Sequence, residues 1–399
     1  MAYRVTMRRF FLLAVPTLGG AALWRIAVEP MPREDTGCTA SLDTRTETAV
    51  TADGIELRMK RYAREGAQPV LLVHGFFGNG LEFDVPHRGH NLALYLAEHG
   101  YDVWISSFRG CGREPYRCGV GDWRHSVDHL AALDAPALVD RIRESTGRRP
   151  IWIGHSMGGM VLYMYLQGVK SAGGGGELRV SLDPEVAEER NRAVLGGITI
   201  GSPPGLHRGG GDWIRDLERM PFFRALAGAL LRWLAVQDRL SPRVPASRIG
   251  EMVTRFPRLG RVLAVRGPVA RFLYNADNVD PDAGWSLLKW ASDNVTARMA
   301  AQIVALARDP DFRDFHREVN YTAHMQAITA PLFFITGTKD FVGDENVRLD
   351  AYEKVSSQSR RFQCYRDYGH TDLVMGKRVR EEVYPDILSW IEELCSRGR

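Results

Sequence analysis

The chain predicts a doubly wound, mostly parallel α/β sheet with a large helical cap inserted after the sixth strand. Three observations predict it. Short, continuous apolar runs at Pro69–Val73, Tyr101–Ile105, Ile151–Ile153, Val194–Ile200 and Pro331–Ile335 have the character of strands covered on both faces. Helical patterns at Leu92–His99, Asp134–Thr146 and Met160–Leu166 separate the earlier runs, which is the rhythm of βαβ units. That rhythm stops at Gly205 and resumes only at Pro331, and the stretch between carries no convincing strand. The boundaries expected are a signal-like or anchor segment at 1–28, a linker at 29–43, the first part of the core at 44–204, the cap at 205–329 and the rest of the core at 330–399.

The composition is that of an ordinary globular protein: 399 residues, 45% hydrophobic and 25% charged, long enough for a large core. The net charge of +4 is small for this length, and no run of one sign is long enough to suggest a nucleic-acid partner. None of the five cysteines forms a C-x-x-C pair, so nothing points to zinc or thiol redox chemistry. Cys111 and Cys118 are close enough to bridge a short loop in an oxidising compartment, and two free thiols fit equally well.

Taken in order, the N-terminus places Arg4, Arg8 and Arg9 before the apolar run Phe10–Leu23. A basic region ahead of an apolar one reads as an export signal or an uncleaved anchor. Arg8-Arg9-Phe10 also resembles a twin-arginine signal, although Met7 precedes the pair. The expected location is exported or membrane-anchored, extracytoplasmic in a bacterium. Thr46–Val50 and Ile55–Tyr62 flank Asp53-Gly54, a hairpin signal. Leu92–His99 stops at Gly100, and Gly147 ends the helix from Asp134, where Pro136 suits a first turn. Residues 171–192, with four consecutive glycines and then acidic residues, read as a surface insertion, flexible at its start. In the cap, Phe222, Phe223, Leu226, Leu230 and Leu234 share one helical face beside Trp233, and helical patterns follow at Ile249–Phe256 and Ala283–Ala307. Val379–Leu394 closes the chain as a helix.

The chemistry concentrates at Gly154-His155-Ser156-Met157-Gly158, a G-x-S-x-G sequence between the strand Ile151–Ile153 and the helix from Met160. A sharp strand-to-helix turn presses backbone against backbone, and glycines remove the Cβ atoms that would collide. The serine hydroxyl is then held at a helix N-terminus, where N–H groups favour a developing negative charge. Asp340 follows the strand Pro331–Ile335, and His370 lies in the loop after Arg361–Tyr365. Loops at the carboxyl ends of parallel strands converge on one rim, so the three can meet. Serine needs a base to take its proton, and the base needs a carboxylate to fix its tautomer. The expected roles are Ser156 as nucleophile, His370 as base and acid, and Asp340 as the orienting carboxylate, with Asp344 or Asp367 as alternatives for the last. Backbone N–H groups of Phe76 and Met157 are the expected oxyanion donors, with His74 bracing that loop. Phe222, Phe223, Leu226 and Trp233 are the candidates for substrate contact. No cofactor is implied. His87 and His90 lack a third ligand, so no metal site is read.

These residues resemble a known family, the α/β-hydrolases of the acid lipase type, the group of gastric and lysosomal lipases. The resemblance runs from about Thr44 to Leu394 and rests on His74-Gly-Phe-Phe, on Gly100-Tyr-Asp-Val-Trp104 with Arg109-Gly110, on Asp134–Asp140 leading into Gly154–Gly158, and on Gly369-His370-Thr-Asp-Leu373. It implies a large helical cap after the sixth strand and hydrolysis of carboxylic esters. The family usually has glutamine where this chain has Met157. Polyhydroxyalkanoate synthases are similar in outline, but carry cysteine where this chain has Ser156. The function expected is an esterase or lipase acting through an acyl-enzyme on Ser156. Acyl transfer by the same fold is the alternative, and a non-catalytic hydrolase-fold binding protein is a third. The expected partner is a small-molecule or lipid ester. Membrane association through the N-terminal segment or the cap stays open, as does oligomeric state.

Overall fold

The computed structural model describes residues 42–173, 176–207, 221–245, 247 and 273–397, without the side chains of 221–224 and 226. The segment 1–28, all but the end of the linker, and the helical pattern 249–256 lie outside the described residues. Among the described residues no helix is long and apolar enough to cross a membrane.

Eight strands form one sheet: β1 (Asp43–Val50), β2 (Glu56–Ala63), β3 (Pro69–Val73), β4 (Asp102–Ser106), β5 (Ile151–His155), β6 (Gly196–Ile200), β7 (Leu332–Gly337) and β8 (Arg360–Tyr365). Their spatial order is β1-β2-β4-β3-β5-β6-β7-β8. The hairpin β1–β2 and the β2–β4 pair are antiparallel, and every pair from β4 to β8 is parallel. Strands β3 to β7 are buried along their whole length, which is why they read as continuous apolar runs. Successive side chains still alternate between faces. Leu71, Val73, Trp152, Leu332 and Phe334 enter one core, and Val70, Leu72, Ile151, Ile153, Phe333 and Ile335 the other.

Helices cover both faces. Helix α1 (Leu92–Glu98) is capped by Asn91, whose side chain accepts the Leu94 N–H. Helix α2 (Ala135–Thr146) ends at Gly147 in the left-handed region, φ 67°. Helices α3 (Met157–Leu166) and α2 bury their apolar sides in the first core, while α1 and the closing helix α7 (Val379–Arg397) bury theirs in the second.

The described residues of 171–192 include a short ribbon, Val169–Ser171 with Val180–Leu182, and helix α4 (Pro184–Ala193), started by Asp183, which accepts N–H groups of Glu185 and Val186. Two expectations change. The stretch 205–329 holds helix α5 (Pro221–Leu240) and α6 (Ala297–Ala305), but also a two-stranded ribbon, Arg243–Val244 with Val295–Thr296. The single helix expected over Ala283–Ala307 is interrupted. Ser292 to Thr296 leave the helix, and Thr296 then caps α6 through the Met299 N–H. The interruption is used: Asp293 N–H donates to the Phe77 carbonyl at 2.7 Å, and its carboxylate accepts the Gly112 N–H at 2.8 Å. Cys111 and Cys118 are buried free thiols.

Candidate active site

Ser156 stands between β5 and α3 with φ 51° and ψ −116°, a conformation that L-residues avoid. The surroundings impose it. A Cβ on Gly154 would lie 2.4 Å from the Gly158 carbonyl carbon, and one on Gly158 would lie 2.2 Å from the Val73 oxygen. The elbow is also held by hydrogen bonds, from Ser156 N–H to Ile200 O at 2.8 Å and from Trp152 Nε1 to Gly158 O at 3.1 Å.

The serine meets the two residues expected from chain order. His370 Nε2 is 2.8 Å from Ser156 Oγ, and His370 Nδ1 is 2.9 and 3.1 Å from the Asp340 oxygens. An ionised carboxylate only accepts, so Nδ1 carries the hydrogen and Nε2 is left to accept from the hydroxyl. Asp340 is 2% exposed and His370 4%, so the pair is shielded from water. The Val342 N–H also donates to Asp340 Oδ1 at 3.0 Å. The alternatives are elsewhere: Asp367 pairs with Lys339 at 3.1 Å, and Asp344 opens a short helix. The Phe341 ring packs edge-on against His370 at 4.6 Å.

Asp372, two residues on, binds across to the stretch between β6 and β7. It accepts from Asn278 Nδ2 at 2.8 Å and from Asn275 N–H at 3.3 Å. Thr371 N–H donates to Leu273 O at 2.7 Å in the same strap. Burial pushes the Asp372 carboxyl up to about 6.

The loop after β3 lies against the elbow, since a Cβ on Gly75 would come within 3.1 Å of Ser156 Cβ. The Gly75 N–H is taken by Glu82 Oε2 at 2.8 Å. Phe76 is the next residue, and its ring packs beside Leu234, Val295, Ala297 and Ala300 of the insert. Met157 begins α3, and the first N–H groups of a helix have no acceptor within it. His74 accepts the Phe108 N–H at Nε2, 3.1 Å, so its Nδ1–H donates to Gly75 O at 2.8 Å. Burial lowers its pKa, so it is a neutral brace for the loop. His87 and His90 bind different partners, Ser286 Oγ at 2.9 Å and Gly376 O at 3.1 Å.

Of the residues expected to touch substrate, Phe222, Phe223 and Leu226 have side chains outside the described residues. Trp233 is 51% exposed on α5, facing away from the buried Leu234. Three residues near the site escaped the sequence reading. Gly201 takes φ 57°, and a Cβ there would be 2.8 Å from Asp340 Oδ2 and 3.0 Å from His370 Nδ1. Glu82 and His155 meet behind the elbow, both buried. His155 was visible only as a variable position of its motif, and Glu82 had no local signal.

Comparison with known proteins agrees with the fold. A sequence profile of the alpha/beta hydrolase family matches residues 70–371. Triacylglycerol lipase 2 of Arabidopsis thaliana is 24% identical over 429 residues, spanning 96% of this chain and 94% of that protein. Gastric triacylglycerol lipase of Homo sapiens is 34% identical over a shorter stretch of 123 residues, 27% of this chain and 31% of that one. The solved monoacylglycerol lipase of Paleococcus ferrophilus superposes with a TM-score of 0.52 at 17% identity, covering 85% of this chain and 99% of that one, a likeness of fold. Since the profile spans well over half of the sequence and the sheet has the strand order described, the chain belongs to the alpha/beta hydrolase family.

Proposed function

We propose that the protein hydrolyses carboxylic esters through an acyl-enzyme on Ser156, as an esterase or lipase. The observation that carries this reading is the continuous chain from Ser156 Oγ through His370 to Asp340, 2.8 Å and 2.9 Å long at its two links. Nε2 of His370 takes the hydroxyl proton as Oγ attacks the ester carbonyl. The carbonyl oxygen becomes an oxyanion and meets the N–H groups of Phe76 and Met157. Asp340 stabilises the imidazolium, which returns its proton to the departing alkoxide. Water then attacks the acyl-enzyme by the same route and releases the acid. Lipases among the relatives support an acyl ester as substrate. The basic and apolar N-terminal sequence supports export or anchoring outside the cytoplasm.

The test is turnover of p-nitrophenyl esters of increasing chain length by wild type and Ser156→Ala. The wild type should hydrolyse them, and the variant should lose about 10⁴-fold or more in kcat. A folded Ser156→Ala enzyme with undiminished turnover would refute the assignment.

A further inference from the structure

Behind the elbow lies a second carboxylate–imidazole contact that the reaction as written does not use. Glu82 ends a short turn after β3, and His155 is the last residue of β5, beside the nucleophile. Both are buried, at 5% and 3% exposure. Glu82 Oε1 is in ion-pair contact with His155 Nδ1, the carboxylate lying off the line of an aligned hydrogen bond. Its other oxygen accepts the Gly75 N–H at 2.8 Å. His155 Nε2 sits 3.2 Å from the His370 carbonyl oxygen, and the two imidazole rings are 4.8 Å apart. A carbonyl oxygen only accepts, so Nε2 carries a hydrogen. With a carboxylate against the other nitrogen, the ring is best matched as a doubly protonated cation.

We propose that Glu82 and His155 are positioning residues: a buried carboxylate–imidazolium pair that ties the oxyanion loop at Gly75 to the backbone of His370. The role rests on the function proposed above. Each end of the link holds a part of the site that must stay in register with Ser156. Gly75 precedes the oxyanion donor Phe76, and the His370 carbonyl belongs to the base itself. The glycines of the loop leave room for the pair, since a Cβ on Gly75 would lie 3.0 Å from His155 Nδ1 and one on Gly78 would lie 3.4 Å from Glu82 Oε2. The charges facing the pair favour the ionised form. Burial pushes His155 down, but Glu82 and Asp340 raise it further, and the result lies above the ordinary imidazole range. Burial pushes Glu82 up, and His155 with the Gly75 N–H brings it below the ordinary range. An imidazolium of this kind cannot replace His370 as base, because neither nitrogen has a free lone pair.

The test combines ¹⁵N-histidine NMR at pH 8 with steady-state kinetics. In the wild type His155, identified by its loss in a His155→Asn variant, should show hydrogens on both ring nitrogens. In Glu82→Gln it should keep one. The kinetic effect of Glu82→Gln should be a fall in kcat of about tenfold or more with KM within about twofold, because the link orders groups that act on the transition state. Unchanged melting temperature of each variant separates this from general destabilisation, and the doubly protonated ring is read in the wild-type enzyme itself. A single ring hydrogen on His155 in an active wild type overturns the pair, and so does a folded Glu82→Gln enzyme with wild-type kcat. A wild type that turns over no ester overturns the proposed function and the positioning role with it.

Discussion

At the elbow, a Cβ on Gly158 would come to 2.2 Å from the Val73 oxygen, whereas on α5 Trp233 is 51% exposed and its neighbour Leu234 only 2%. These two regions are held in place by different physics. The rim of the sheet is fixed by backbone-to-backbone contact, where no side chain can adapt. The described part of the insert between β6 and β7 is fixed by side-chain burial, Leu234 in one cluster and Met299, Phe312 and Tyr321 in the main core, and by hydrogen bonds to the rim, among them those of Asp293 and Asn275. A position set by backbone contact tolerates one residue type. A position set by burial tolerates several.

Substitutions can break this contrast. The largest effect is expected at Gly158→Ala, where the new methyl has backbone on its far side and nothing that can rotate away. It should cost about 3 kcal/mol or more in urea unfolding and abolish labelling of Ser156 by a fluorophosphonate. Next comes Leu234→Ala, which removes the side chain packed beside Phe76, Val295 and Ala300. A loss of about 2 to 4 kcal/mol is expected in the same measurement.

Asp372 joins the two regions. Its carboxyl has a folded pKa of about 6 against an ordinary 3.8, raised by burial. The folded state therefore binds this proton more tightly than the unfolded chain. The resulting stability is complete below the unfolded value and is lost as pH rises through about 6. Between pH 5 and pH 8 the wild type should lose about 1 kcal/mol relative to Asp372→Asn, read from denaturant titrations at both pH values. The smallest effect belongs to Trp233→Ser. Stability should change by less than about 0.5 kcal/mol. A loss as large as that of Leu234→Ala would show that the outer face of α5 is packed.

The same contrast explains what could be read in the sequence. G-x-S-x-G between a strand and a helix is a local steric code, and the order Ser156, Asp340, His370 needs only the parallel sheet to bring the residues together. Gly147 was legible as a helix stop for the same reason, a left-handed φ of 67°. Gly201 has an equal steric demand, but its colliding atoms are on Asp340 and His370, far away in the chain. Glu82 meets His155 only after β3 and β5 have paired. In the insert, Leu230 and Leu234 were placed on one face, yet their exposures are 40% and 2%. Four residues turn a helix by about 40° beyond a full circle, enough to carry a side chain over the edge of a buried stripe. The break before α6 was missed because its cause, Asp293 reaching Phe77 and Gly112, is tertiary.

The three residues of the candidate site are also spread along the chain in time. Ser156 follows β5, while Asp340 and His370 follow β7 and β8, which form one edge of the sheet. A nascent chain synthesised only as far as the insert would present its serine with no base beside it. If the three residues act as proposed, reactivity arrives only once the last two strands are in place beside β6, so a probe of Ser156 would report completed folding and not merely the presence of the serine.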